Sequence, residues 1–193
     1  RYDAMNYFYP VRSGIAIDGS VMVGQPDADK YTRPAGHVEN RGSSLEEGSV
    51  NQGDYDVACL TPATEGEYWM YGDWSCNYTS DVVGGWYDAG DHGKYVVNGG
   101  IAVAQVLSTY ERTLYSPTGA SADLSDGSLN IPLDETSNGV PDPLDEARWE
   151  LDWMMKMQVP SDADMYAGMV HHKVADADWT GLPLLPSDGP QER

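Results

Sequence analysis

The chain has 193 residues, with 11 Lys and Arg against 31 Asp and Glu, and therefore a formal net charge of −20 at pH 7. Phosphate backbones and anionic lipids repel such a charge, so the composition argues against nucleic acid and a membrane as partners. No apolar run approaches the length of a membrane span, and no apolar leader follows the polar first residues. A neutral polymer remains a compatible partner, and the length suits one or two small domains.

The first predicted element is a helix over about residues 3–12, which ends at Ser13 and Gly14. Its apolar residues recur at the spacing of one helix face and are Ala4, Tyr7, Phe8 and Val11. From residue 18 to residue 86 the composition changes to Gly, Asp, Ser, Asn and Pro. A loop of that length is rare inside a compact domain unless it is functional, so we expect it to build the walls of a binding cleft.

Cys59 and Cys76 are the only cysteines of the chain, and both lie within that long loop. They either form a disulfide that closes a short loop, as in a secreted protein, or remain free thiols. Their spacing alone leaves both alternatives open.

Residues 85–95, with the sequence GWYDAGDHGKY, carry the most informative motif of the chain. Asp88 and Asp91 are three residues apart and are flanked by glycines, which allow a tight turn to aim both carboxylates into one pocket. Paired carboxylates activate water against a glycosidic bond, and the flanking Trp86, Tyr87 and Tyr95 would offer flat faces to a sugar ring. Taken alone, however, the Asp-x-x-Asp spacing is more typical of a calcium loop or an Asx-turn on the surface.

The second predicted helix covers about residues 99–115 and directly follows the motif, with Asn98 as its N-cap. Its apolar residues occupy more than one face of the helix and include Ile101, Val103, Ala104, Val106, Leu107, Tyr110 and Leu114. This pattern is typical of a helix buried among other helices.

The third predicted helix begins at Asp142 as the cap and Pro143 as the first helical residue, and Pro160 ends it. Asp145 and Glu146 favour the positive end of its dipole. We expect an apolar stripe that packs in the core and consists of Leu144, Ala147, Leu151, Met154 and Met155. The acidic stretch before this helix does not have the residue spacing of an EF-hand calcium loop.

Residues 84–100, with the sequence GGWYDAGDHGKYVVNGG, resemble the signature of glycoside hydrolase family 9, the inverting cellulases. Three further segments resemble parts of the same catalytic module and follow in the family's order. They are YFYPVRSGIAI at 7–17, IPLDETSNGVPDPLDEARWELDWMMKMQ at 131–158 and MVHHKVADADWTGLPLLPSD at 169–188. The subgroup most similar to the chain comprises cellulosomal cellobiohydrolases with an immunoglobulin-like domain before the catalytic module.

The resemblance implies an all-α fold, namely the N-terminal portion of an (α/α)6 barrel with long irregular loops. Residues 1–193 would form one incomplete catalytic module of a secreted, extracellular enzyme, and the subgroup suggests a cellulosomal one. The remainder of the module would then be a partner, and the chain alone would be inactive. Exo and endo action are both compatible with the sequence.

The resemblance also implies a mechanism, which is inverting hydrolysis of β-1,4-glucosidic bonds in cellulose or cellooligosaccharides. Asp91 would be the general base that takes a proton from the attacking water, and Asp88 would hold the same water. His92 and Lys94 lie close in sequence and would offset the charge of the two carboxylates. The general acid of the family is a glutamate near the far end of the module, and nothing in this chain matches its context.

Relatives in this subgroup often hold a structural zinc through two Cys and two His, which makes Cys59 and Cys76 weak zinc candidates. Family 9 modules often carry structural calcium, which we expect in the complete module without assigning ligands here; the chemistry itself requires no cofactor. His172 would hydrogen-bond sugar hydroxyls, or else serve as a structural histidine. Trp179 would be a stacking platform, or else pack in the core. The alternative function is that of a non-catalytic carbohydrate-binding fragment.

Overall fold

The computed structural model describes residues 2–38, 53–59, 76–115, 124–163, 165–176, 184–186 and 193. Its α-helices are α1 (Tyr2–Met5), α2 (Val96–Tyr115) and α3 (Asp142–Lys156), and its 3-10 helices are Tyr9–Val11, Gly19–Val21 and Ala28–Tyr31. Two short antiparallel sheets pair β1 (Val57–Ala58) with β2 (Thr79–Ser80), and β3 (Lys94–Tyr95) with β4 (Lys173–Val174). An all-α fold is therefore not confirmed over the described residues, because sheets and irregular segments separate the helices.

The predicted first helix is wrong in its extent. The α-helix ends at Met5, and the chain then turns into a 3-10 helix over Tyr9–Val11. Pro10 explains this break, because proline lacks a backbone donor and restricts the residue before it.

Helix α2 is confirmed, but it begins at Val96 and places Asn98 inside its first turn. The Asn98 side chain does not cap the helix and instead donates a hydrogen bond to Asp88 (2.9 Å). The expected burial on several faces is wrong for the described chain, because only Val103 and Val106 of this helix are buried.

Helix α3 has the predicted start, but its buried face is acidic. Asp142 does not cap its own helix; its carboxylate accepts hydrogen bonds from the backbone N–H groups of Gly127 and Leu129. Two members of the predicted apolar stripe, Leu151 and Met155, are exposed. The buried residues of the helix are Asp142, Pro143, Asp145, Glu146, Ala147, Glu150 and Trp153.

Among the described residues two apolar clusters form the core, and α3, which also packs against α2, contributes a side chain to each of them. The larger cluster contains Met5, Tyr9, Ile17, Met22, Trp86, Val103, Val106, Leu124, Leu129, Ile131 and Ala147. The smaller cluster contains Val82, Trp153, Met157 and Val174. No helix in the described part of the chain is long and apolar enough to cross a membrane.

Candidate active site

The loop with the two aspartates is anchored to the segment after α1. The Ser13 N–H donates to the Gly85 carbonyl (2.8 Å), and the Tyr87 N–H donates to the Val11 carbonyl (2.8 Å). Gly85 has φ +76°, and a Cβ atom there would lie 2.6 Å from the Trp153 ring. Only glycine fits both the backbone angle and the close approach to α3.

Each carboxylate of the pair is held at one oxygen by neighbours in the chain. Oδ1 of Asp88 accepts from the Asn98 side chain (2.9 Å). Oδ2 of Asp91 accepts from the Tyr95 hydroxyl (2.8 Å) and from the Gly93 N–H (3.2 Å). Both aspartates are partly exposed. The second oxygen of each therefore remains available to a water molecule or a substrate.

The pairing of β3 with β4 brings His172 next to this loop. Its ring meets the Tyr95 ring edge-on, with 6.2 Å between the centroids, and its carbonyl accepts from the Val96 N–H (3.1 Å). His172 is exposed, which leaves its predicted contact with sugar hydroxyls sterically open. That contact stays a prediction.

Trp86 and Tyr87 are buried, with 5% and 6% of their surface exposed. The Trp86 indole N–H donates to Glu146 (2.8 Å), and the Tyr87 hydroxyl lies 2.8 Å from Nδ1 of His37. Burial raises the pKa of Tyr87 to about 12. These contacts occupy the polar edges of both rings inside the protein, so the burial does not support the predicted stacking on a sugar. Trp179 lies outside the described residues.

A buried ionic network contacts the loop at Lys94 and at the carbonyl of His92. Nζ of Lys94 lies 2.8 Å from Asp54, and Arg193 donates to Asp54 (2.7 Å), to Asp176 (3.1 Å) and to the carbonyl of His92 (2.8 Å). Burial would raise the pKa of Asp54, but the charges of Lys94 and Arg193 lower it overall. The expectation that Lys94 offsets the charge of the aspartate pair is wrong, because its ammonium group pairs with Asp54.

The imidazoles of His37 and His92 also lie beside this network. Nε2 of His37 lies 3.0 Å from Asp176, and Nδ1 of His92 lies 3.8 Å from the same carboxylate. Burial lowers the pKa of His37. His92 is buried and its ring packs against the rings of Tyr87 and His37.

A second buried cluster links the loop to α3. Arg12 donates to Glu146 and Glu135 at 2.8 to 3.0 Å, and the Trp86 N–H donates to Glu150 (2.7 Å). The sequence did not identify Glu135 and Glu146 as partners of Arg12, because they lie more than a hundred residues from it. Glu146 was interpreted only as a residue that favours the positive end of the helix dipole.

The cysteines of the long loop form a disulfide between Cys59 and Cys76. A disulfide sulfur carries no thiolate for a metal, so the pairing contradicts the zinc hypothesis for these two residues. In the part of the chain that is described, no group of three or more His, Cys, Asp or Glu could hold a metal ion.

Comparisons with known proteins relate the whole chain to one family. The family model described as Glycosyl hydrolase family 9 matches residues 1–193. Endoglucanase C of Cellulomonas fimi is 55% identical over the full chain, and a cellulose 1,4-beta-cellobiosidase of Acetivibrio thermocellus is 46% identical. The chain spans 15% and 20% of the lengths of these relatives. A metagenome-derived glycoside hydrolase family 9 endoglucanase of solved structure covers 99% of the chain with a TM-score of 0.65 at 30% identity, while the chain covers 27% of that structure.

Proposed function

The chain belongs to glycosyl hydrolase family 9, and on that premise we propose that it supplies the water-activating half of an inverting β-1,4-glucan hydrolase. One observation carries the proposal: Asp88 and Asp91 lie on one anchored loop, and each carboxylate is fixed at one oxygen while the other stays available. A general base needs this arrangement, since it must be oriented without losing the oxygen that takes the proton.

In the proposed mechanism Asp91 takes the proton from the attacking water, and Asp88 holds that water from a second direction. The deprotonated water attacks the anomeric carbon from the face opposite the leaving group, so the configuration inverts. A general acid must protonate the leaving oxygen from about 6.5–9.5 Å away from the base. We propose that a glutamate in the remainder of the catalytic module supplies this proton.

The proposed substrate is cellulose or a cellooligosaccharide. The relatives support this class, because one is named an endoglucanase and another a cellulose 1,4-beta-cellobiosidase. The exposed His172 beside the loop is a proposed contact to sugar hydroxyls, and Trp179 a proposed stacking platform. A neutral glucan is also compatible with the net charge of −20.

The helices are proposed to be part of an (α/α)6 barrel whose other helices belong to the rest of the module. Apolar side chains on α2 support this, because Val97, Ile101 and Leu114 are 60%, 55% and 59% exposed. Exposed apolar faces of that kind are typically covered by another element. Residues 1–193 would then be one portion of a single catalytic module.

Secretion is proposed on the basis of the Cys59–Cys76 disulfide, because such bonds persist in oxidising compartments. The chemistry proposed here uses water and carboxylates and needs no cofactor. Structural calcium in the complete module stays an expectation, and the described residues offer no cluster that fits it.

The decisive experiment is Asp91→Asn in the complete enzyme, with Asp152→Asn on the exposed side of α3 as the matched control. We expect turnover of cellooligosaccharides to fall by about 10²–10⁴-fold while their binding persists, and the control to keep full activity. NMR of the first product should show inversion at the anomeric carbon. Undiminished turnover in Asp91→Asn would contradict the base assignment. Binding without turnover by the unaltered enzyme would favour the carbohydrate-binding alternative.

The incomplete-module proposal has its own test. We expect the purified 193-residue chain to show no cellulase activity, because it lacks the proposed acid. Turnover by that chain alone would contradict this part of the proposal.

A further inference from the structure

We propose that Tyr95 is a positioning residue for the reaction, in that it fixes one oxygen of Asp91 and so leaves the other oxygen to meet the attacking water. The inference rests on the proposed function, because it assigns a helper to the proposed base. Its starting point is the hydrogen bond of 2.8 Å from the Tyr95 hydroxyl to Oδ2 of Asp91. The Gly93 N–H donates to the same oxygen at 3.2 Å.

Gly93 shows how closely this arrangement is packed. A Cβ atom at residue 93 would lie 2.5 Å from Oδ2 of Asp91, 2.7 Å from Cε2 of Tyr95 and 2.9 Å from its hydroxyl oxygen. Any side chain there would displace the carboxylate, the phenol or both. The absence of a side chain at residue 93 therefore makes room for the hydrogen bond between Tyr95 and Asp91.

The Tyr95 ring is itself held by the second small sheet. Tyr95 on β3 is the register partner of Lys173 on β4, and Nζ of Lys173 lies 5.4 Å from the centroid of the Tyr95 ring. The His172 ring meets it edge-on at 6.2 Å. Helix α2 begins at the next residue, Val96. A side chain held from these sides is preorganised, so it aims its hydroxyl at Asp91 without a further loss of side-chain freedom.

The chemical consequence follows from the two oxygens of a carboxylate. Two donors to Oδ2, the Tyr95 hydroxyl and the Gly93 N–H, fix the orientation of the Asp91 carboxylate. Because both donors use the same oxygen, Oδ1 is the oxygen that meets the attacking water. Tyr95 acts through Asp91 and needs no contact with the substrate.

The test is Tyr95→Phe in the complete enzyme, which removes only the hydroxyl group. We expect kcat to fall by about tenfold with little change in KM, since a hydrogen bond to a charged group is lost. The acidic limb of the pH–activity profile should move upward by about one pH unit, because the carboxylate loses a donor. Among the described residues, the titratable groups in contact with Tyr95 are Asp91 on the loop, Lys173 on β4 and His172 just before it, and Tyr95→Phe leaves these groups unchanged.

Tyr9→Phe is the matched control. Tyr9 is buried, and its hydroxyl accepts a hydrogen bond from the Asp18 N–H (3.0 Å), so this variant also loses one hydroxyl and one hydrogen bond. We expect its melting temperature to fall while its pH profile coincides with that of the unaltered enzyme. Equal displacement of the acidic limb in both variants would overturn the proposal.

A second variant replaces Tyr95 alone by 3-fluorotyrosine, whose phenol is more acidic and a stronger donor. The acidic limb should then move to lower pH, opposite to the effect expected of Tyr95→Phe. Comparison with the unaltered enzyme therefore tests the role of Tyr95 even if Tyr95→Phe does not fold. A pH profile identical to that of the unaltered enzyme would overturn the role of Tyr95. If the role of Tyr95 fails but Asp91→Asn abolishes turnover, the proposed function still stands. If Asp91→Asn keeps its turnover, the proposed function is wrong together with the role of Tyr95.

Discussion

Nζ of Lys94 lies 2.8 Å from Oδ2 of Asp54, and neither side chain has more than 1% of its surface exposed. The same ammonium group donates to the carbonyls of Val82 and Gly84, at 2.6 and 2.7 Å. Burial lowers the pKa of Lys94 to about 8, and Asp54 counteracts this effect. Lys94 thus binds the loop of the two aspartates to residues that precede it in the chain, namely Asp54, Val82 and Gly84.

Lys94→Met is expected to destabilise the protein by roughly 3–5 kcal/mol, because removing one partner of a buried pair leaves the other charge without full compensation. Lys156→Met is the matched control, since Lys156 is exposed and lies 3.7 Å from the exposed Asp81. Its cost should stay below about 1 kcal/mol. Urea unfolding of the two variants measures the difference. Equal losses in the free energy of unfolding would show that burial does not increase the contribution of the Lys94–Asp54 pair to stability.

Glu150 predicts a pH dependence of stability. Burial raises the pKa of Glu150 from 4.5 to about 7, so the folded protein binds this proton more tightly than the unfolded chain. The resulting stabilisation is fully present below pH 4.5 and is lost as the pH rises through about 7. The difference between these two pKa values corresponds to roughly 3 kcal/mol in the free energy of unfolding.

The variant that isolates this contribution is Glu150→Gln, whose carbonyl can still accept from the Trp86 N–H. Thermal unfolding from about pH 5 to about pH 8 should show stability falling more steeply in the unaltered protein than in Glu150→Gln. Glu111→Gln, on the exposed side of α2, should leave the slope unchanged. Parallel curves for the unaltered protein and Glu150→Gln would refute the prediction.

The sequence predicted those parts of the fold that depend on neighbouring residues. The start of α3 carries its own signals in Asp142 and Pro143, and the apolar spacing after the motif predicted α2 to within three residues of its start. The extent of α1 failed because Pro10 overrides the apolar periodicity around it.

The supporting contacts of the site depend on residues far apart in the chain, and local patterns cannot predict these. Arg193 reaches Asp54 across 139 residues, and Arg12 reaches Glu146 across 134. Asn98 shows how such contacts compete with local rules: it fits the pattern of an N-cap, but its amide binds Asp88 while the helix continues around it. The aspartate pair itself was predictable because both members lie on one short loop.

The Cys59–Cys76 disulfide predicts sensitivity to reduction. The two cysteines are 17 residues apart, and a closed loop of that size stabilises by roughly 3 kcal/mol through the entropy of the unfolded chain. Dithiothreitol should therefore lower the melting temperature of the protein. The double variant Cys59→Ser/Cys76→Ser should melt at the lower temperature with or without the reductant. A response of the double variant to dithiothreitol would show that the reductant acts elsewhere.

Two adjacent glycines of α2 should respond oppositely to the same substitution. A Cβ atom at Gly99 would overlap Oε1 of the buried Glu150, whereas at Gly100 it would only touch Cε of Met154 at 3.4 Å. Gly100→Ala should be neutral or stabilise by up to about 1 kcal/mol, because alanine is the better helix former. Gly99→Ala should destabilise by about 1–3 kcal/mol, because it forces the Glu150 carboxyl away from the Trp86 N–H.

Thermal unfolding of both glycine variants under identical conditions measures this contrast. The effect of helix propensity is the same at the two positions, so the difference between the variants isolates the contact with Glu150. Combining Gly99→Ala with Glu150→Ala makes room for the new methyl group, and the cost of Gly99→Ala should shrink in that background. An unchanged cost would mean that Gly99 is required for a reason other than its approach to Glu150.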